Sequence, residues 1–156
     1  MTTEPPPNLA PGPLSGQRVA SAVSTATLQS ALAEYFAPWV QALGLAVEQA
    51  DANGVILRLP QSPQHSRVGG MLCGQAMMAA ADTAMVLALI RHFGEFRPCT
   101  TVQMNSSFLK PLSGQDALVH ASVVRAGKSL AFGEIDIRGA SDGKSACRAT
   151  TTYALL

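Results

Sequence analysis

The sequence predicts an α+β fold in which a six-stranded antiparallel sheet wraps around a single long, apolar helix. Three observations point there. One run, Met71 to Ile90, is almost wholly apolar or small and too long for a strand. A hairpin pattern around Asn53-Gly54 precedes it. Four strand-like runs separated by short turn signals follow it.

The elements follow in order. Residues 1–24 are rich in Pro, Ser and Gly and read as a disordered tail, with residues 25–156 as one domain. The next stretch, TLQSALAEYFAPWVQALG, places Leu28, Leu32, Tyr35, Phe36, Trp39, Val40 and Leu43 at helical spacing. Thr27 is the expected cap and Gly44 the expected stop, and Pro38 should kink or split the helix. Leu45 and Val47, then Val55, Leu57 and Leu59, alternate on either side of the Asn-Gly turn. QSPQHSRVGG reads as a polar loop leading to a helix at about 74–92. TTVQMNSSFL, DALVHASVVRA, SLAFGEIDIRG and KSACRATTTYAL should form a four-stranded antiparallel meander. On the first of these strands Thr101, Gln103, Asn105 and Ser107 would share one polar face.

On a helical projection Ala76, Ala80, Ala84 and Ala88 form a spine of small side chains, suited to close approach of the sheet. Asp82 lies on another stripe, with Gln75, Met78, Met85, Val86 and Leu89 within about 60° of it. A carboxylate among such neighbours is costly to desolvate unless it has partners, which makes Asp82 the first candidate for chemistry.

Composition narrows the field. The 156 residues are 47 % hydrophobic and only 13 % charged, too apolar for a disordered chain and consistent with surface covered by other subunits. A net charge of +1 with no basic run gives no case for nucleic acid or an acidic membrane face. Asp82 and the many alanines favour a buried helix over a membrane span. Cys73, Cys99 and Cys147 are odd in number and widely spaced, and His65, His92 and His120 are scattered. That pattern suits neither a disulfide framework nor a metal site, and the expected setting is cytoplasmic.

Several motifs together resemble a known family. They are Gly70-Met-Leu-Cys73-Gly74-Gln75 with Asp82-Thr83-Ala84, Thr101-Val-Gln-Met-Asn105-Ser-Ser-Phe108-Leu109-Lys110-Pro111, Val123-Val-Arg125-Ala-Gly127-Lys128, and Ala149-Thr-Thr-Thr-Tyr153. Their order and gaps over residues 45–155 resemble the hotdog-fold acyl-CoA thioesterases of the phenylacetate-pathway (PaaI-type) group. The chain departs from that pattern in two places. The usual His-Gly-Gly at the helix start is Cys73-Gly74-Gln75, and the Asn or Gln of the preceding loop falls on Arg67.

The resemblance implies hydrolysis of an acyl-CoA to free acid and coenzyme A, with Asp82 as general base or nucleophile. It implies no metal or redox cofactor, since coenzyme A is part of the substrate. Thioester hydrolysis needs donors for the carbonyl oxygen, and the free N–H groups at Gly74, helped by the Gln75 amide, are suitable. Arg125 and Lys128 around the Gly127 turn are candidates for the coenzyme A phosphates, with Lys110 and Arg67 weaker ones. Cys73 and Asn105 are candidate contacts to the substrate. No His neighbours Cys73 in sequence, which speaks against a nucleophilic thiol. Gly74 and Asp82 are about 12 Å apart along one helix, yet both must come within about 3 Å of one thioester group. The donors are therefore expected from one subunit and Asp82 from its neighbour, in a homodimer or homotetramer. The alternative from another class is an acyl-CoA-binding hotdog module that does not hydrolyse its ligand. Hydration of an enoyl thioester fits less well, because no Asp-to-His pair spans the helix and the following strand.

Overall fold

The computed structural model describes residues 23–156. The expected tail over 1–24 lies outside the described residues except at its end, where Val23 is buried and Ser24 caps a helix. The elements are α1 (Thr25–Tyr35), α2 (Pro38–Gln41), β1 (Ala46–Asp51), β2 (Gly54–Leu59), β3 (Ser66–Arg67), β4 (Met71–Leu72), α3 (Gly74–Phe93), β5 (Cys99–Phe108), β6 (Ala117–Ala126), β7 (Leu130–Gly139) and β8 (Ser145–Leu155).

Pro38 splits the first helical stretch, as its missing N–H and fixed φ require, and starts α2 where both are harmless. The cap is Ser24 rather than Thr27: its hydroxyl accepts the Thr27 N–H at 3.1 Å. The loop between β2 and α3 carries more order than its composition suggests. A turn of 3-10 helix at Pro63–His65 leads into the small β3–β4 pair. His65 is buried there with its ring nitrogen Nδ1 2.9 Å from the Pro60 carbonyl, a structural placement.

The six long strands form one antiparallel sheet in the order β1-β2-β6-β7-β8-β5. This corrects the expected four-stranded meander. Of the last four strands only β6, β7 and β8 are sequential neighbours; β5 crosses to pair with β8 at the far edge, and β6 pairs with β2. The connection between β5 and β6 is longer than the turns that follow it and contains Pro111, so it has the length to cross. Register shifts interrupt the β1–β2, β5–β8, β6–β7 and β7–β8 ladders, and such bulges increase the local twist with which the sheet coils around α3.

The core lies between α3 and the inner face of the sheet. Ala76, Ala80, Ala84 and Ala88 are all buried, and the spine permits the close approach foreseen for it. The inner face supplies Val55, Leu57, Leu59, Val119, Ile135, Ile137 and Tyr153. Each Leu or Ile buried this completely contributes about 1.5–3 kcal/mol. Gly133 leaves the space that the Met85 thioether fills: a Cβ there would sit 2.1 Å from Sδ. Gly94, at φ 79°, ends α3 with its N–H bonded to the Ile90 carbonyl, while Arg91 and His92 sit at the negative end of the helix dipole.

The two edges of the sheet are treated differently. On β1 the Gln29 side chain acts as a short extra strand, donating to the Leu45 carbonyl at 3.1 Å and accepting the Val47 N–H at 2.8 Å. On β5 ten uncharged residues, CTTVQMNSSF, form an exposed edge with none of the Lys or Pro residues that usually discourage pairing.

Candidate active site

The first turn of α3 is held from two sides. The Leu72 N–H donates to the Leu112 carbonyl at 2.9 Å, and the Cys73 N–H to the His65 carbonyl at 2.8 Å. Cys73 occupies the cap position with extended backbone, and its side chain makes no capping bond. The leading N–H groups are thus left for an outside acceptor, at the positive end of a 20-residue helix. A cleft of about 460 Å³ opens at this point. It is lined by Arg67, Gly74, Met77, Phe108, Leu109 and Lys110, together with Met71, Leu72 and Pro111. The Phe108 ring lies against Gly74, with a Cβ built there only 3.1 Å from its Cζ. Gln75 is exposed on the same turn. Lys110 is tied to Asp142 at 2.7 Å, which draws part of its charge away from the cleft.

Asp82 sits two turns further along, half-buried between α3 and the β5 edge. Its Oδ1 accepts from the Thr101 hydroxyl at 2.9 Å and from the Tyr153 hydroxyl at 2.5 Å. Burial and then the Asp82 carboxylate push the Tyr153 hydroxyl far above the ordinary phenol range, so it is a neutral donor. Burial, with a smaller contribution from Asp82, also raises the Cys99 thiol. The stripe around Asp82 divides: Met85 and Leu89 are buried, Val86 is half-buried, and Met78 and Gln75 face outward.

The polar face expected on β5 does not form as read. A bulge at Val102 shifts the ladder between Thr101, which pairs with Tyr153, and Gln103, which pairs with Thr152. Thr101 therefore faces the helix, while Gln103, Asn105 and Ser107 face the opposite side of the sheet. Asn105 lines a groove of about 640 Å³ there, shared with Ser107, His120, Glu134, Asp136 and Arg148. Arg125, Gly127 and Lys128 are exposed at the β6–β7 turn, where the Gly127 N–H donates to the Leu130 carbonyl at 2.8 Å. That turn lies at Asp82's end of the sheet, because Ala126 pairs with Ala131 and Ala131 with Tyr153.

The candidates fall into three places. Arg67, Cys73, Gly74 and Gln75 gather at the start of α3. Asp82 and the Arg125–Lys128 turn lie toward the other end, and Asn105 is on the outer face. The roles of Thr101 and Tyr153 as donors to Asp82 were not foreseen. Their pairing depends on the bulge, and the only signal for them was their presence in the motifs.

A long helix cradled by a six-stranded antiparallel sheet is the hotdog fold. Residues 69–146, half of the chain, match the thioesterase superfamily, and the chain belongs to that superfamily. Human acyl-coenzyme A thioesterase 13 is 29 % identical over 91 residues, which cover 58 % of this chain and 64 % of that protein. The match thus spans just under two thirds of that relative's length. Among solved structures, a thioesterase of Haemophilus influenzae superposes with a TM-score of 0.75 at 21 % identity, covering 83 % of this chain and 90 % of its own. Zebrafish thioesterase superfamily member 2 gives a TM-score of 0.75 at 24 % identity, covering 85 % and 99 %. At such identities these structures establish the fold. The helix long and apolar enough to cross a membrane is the central helix of this fold, packed inside the sheet.

Proposed function

We propose that the protein is an acyl-CoA thioesterase whose active site is completed by a second copy of the chain. The observation that carries the reading is the separation of the two halves of the site along one exposed edge strand. Asp82 is bonded at Thr101 near one end of β5, and Gly74 lies against Phe108 at the other. With one bulged residue between them, Thr101 and Phe108 are about 20 Å apart along the strand, and Asp82 and Gly74 themselves lie about 12 Å apart on α3. Antiparallel pairing of two β5 edges about a two-fold axis near Met104 or Asn105 brings Phe108 of one copy opposite Thr101 of the other. The partner's Gly74 then approaches Asp82, as joint action on one thioester requires. The open, uncharged β5 edge suits this pairing, and the Gln29-capped β1 edge does not.

In the assembled site the thioester carbonyl oxygen accepts the N–H groups at Gly74 and Gln75 of one copy. Developing negative charge on that oxygen is stabilised by these donors and by the helix dipole. Asp82 of the other copy takes a proton from water as the water oxygen bonds to the carbonyl carbon. Collapse breaks the carbon–sulfur bond, and the proton held by Asp82 passes to the leaving thiolate. Acid and thiol are released, and Asp82 is ionised again. A covalent route gives Asp82 the attacking role, with water then cleaving the acyl-aspartyl anhydride. Mass spectrometry of acid-quenched enzyme distinguishes the two by the presence or absence of an acyl group on Asp82. Arg67 at the α3 cleft and the Arg125–Lys128 turn are the cations that the coenzyme A phosphates would reach.

The test is thiol release from short, medium and aromatic acyl-CoAs, with phenylacetyl-CoA as the arm that the motif likeness suggests. Wild type is compared with Asp82→Asn and Cys73→Ala. The expected result is release by wild type and Cys73→Ala and its loss in Asp82→Asn. Tight acyl-CoA binding with no thiol release from any member would replace the enzyme with a binding module.

A further inference from the structure

The Asp82 carboxylate is held asymmetrically. Both of its donors, Tyr153 at 2.5 Å and Thr101 at 2.9 Å, bond the same oxygen, Oδ1. Among the described residues Oδ2 has no assigned donor. The two donors face each other across the β5–β8 ladder as register partners, so their separation is set by the sheet. Tyr153 is among the largest fully buried side chains in the protein, with 1 % of its surface exposed. A phenol packed so completely has one position for its oxygen. That oxygen also lies 3.1 Å from the Asp82 main-chain carbonyl, and its single proton goes to the stronger acceptor, the carboxylate.

We infer that Tyr153 is a positioning residue for the reaction proposed above: it anchors Oδ1 and thereby turns Oδ2 toward the thioester and its attacking water. The inference rests on the thioesterase reading and adds a residue outside the segment, 69–146, that matches the superfamily. The titratable groups facing Asp82 from the sheet are Tyr153 on β8 and Cys99 on β5, and burial holds both in their neutral forms. Its neighbours one turn away on α3 are Met78, Ala79, Met85 and Val86, none of which titrates. Removing the Tyr153 hydroxyl leaves Oδ1 with the Thr101 donor alone and the reactive oxygen free to swing.

Tyr153→Phe keeps the buried ring and removes only the hydroxyl. The expected outcome is a kcat lower by roughly 10- to 100-fold with KM nearly unchanged, the signature of misplacement at the reacting centre. Incorporating 3-fluorotyrosine at position 153 keeps both the fold and the hydroxyl donor, so kcat should stay within about threefold of wild type. A purely structural hydroxyl would lower the melting temperature of Tyr153→Phe and leave kcat at its wild-type value, which would overturn the inference. Crystal structures of wild type and Tyr153→Phe read the orientation of the Asp82 carboxylate without turnover, and the carboxylate should rotate once the hydroxyl is gone. A rotated carboxylate in a protein that hydrolyses nothing would remove the thioesterase reading and the positioning role with it. An active enzyme with an unmoved carboxylate would remove the positioning role alone.

Discussion

Replacing Gly74 with alanine separates the demands of the fold from those of the chemistry. Gly74 is the first residue of α3, and its φ lies outside the left-handed region, so alanine meets no backbone strain. Alanine is also the better helix former, by up to about 1 kcal/mol in a helix interior. The opposing cost is local. The new Cβ would lie 3.1 Å from Phe108 Cζ and 3.3 Å from Cε1, so the ring must shift by a few tenths of an ångström. Phe108 is half-exposed and can make that move. The two effects leave stability within about 1 kcal/mol of wild type, a melting shift of roughly 4 °C at most. Activity should respond differently. The methyl group and the displaced Phe108 ring would crowd the approach to the N–H groups proposed to hold the thioester oxygen, and kcat/KM should fall about 100- to 1,000-fold, as when one oxyanion donor is lost. Thiol release and a thermal melt on one preparation measure both quantities. Activity within threefold of wild type would refute the use of this helix start as the oxyanion site. A melting temperature lower by more than about 10 °C would refute the packing argument.

Three further outcomes follow from the geometry. Mixing Gly74→Ala and Asp82→Asn, each inactive alone, should restore roughly a quarter of wild-type activity after subunit exchange, because half of the dimers are mixed and each carries one intact site; no recovery in verified mixed dimers would place both residues in one subunit's site. Gly54→Ala should cost about 3 kcal/mol or more, since Gly54 has φ 134° and its Cβ would lie 2.1 Å from the Ala121 carbonyl oxygen of the paired strand; a urea midpoint close to wild type would show that the turn relaxes. Asp116 is held below the ordinary carboxylate range by the Gln61 N–H, and also by Arg58, so it stabilises the fold above the unfolded-state carboxylate pKa and loses that contribution as pH falls through its own, lower value. Asp116→Asn should therefore lower the urea midpoint at pH 7 and lose that difference progressively as pH falls below the unfolded carboxylate range, whereas a difference that stays constant into acid would refute the linkage.

The local patterns were readable because each element's period and punctuation agree with its place in the fold. Pro38 and Asn53-Gly54 mark boundaries through backbone constraints that act within a few residues. The apolar α3 and the alternating strands announced a wrapped helix, and Asp82 stood out because a carboxylate among methionines and leucines demands an explanation. Ser24 took the cap from Thr27 because the helix began three residues earlier than the apolar spacing indicated.

What the sequence determined by itself was therefore the set of elements, the class of fold, and Asp82 and Gly74 as the residues to examine. Tertiary structure alone decided the strand order, because pairing β5 with β8 depends on which edge of the sheet remains open after the β6–β8 meander has formed. It alone decided which face of β5 each residue occupies, since one bulged residue, Val102, reverses the alternation that sequence spacing assumes. For the same reason it brought Thr101 and Tyr153, 52 positions apart in the chain, onto one carboxylate oxygen. Such contacts depend on register, which is set by the packing of the whole sheet on α3 and is not encoded in any short stretch of the chain.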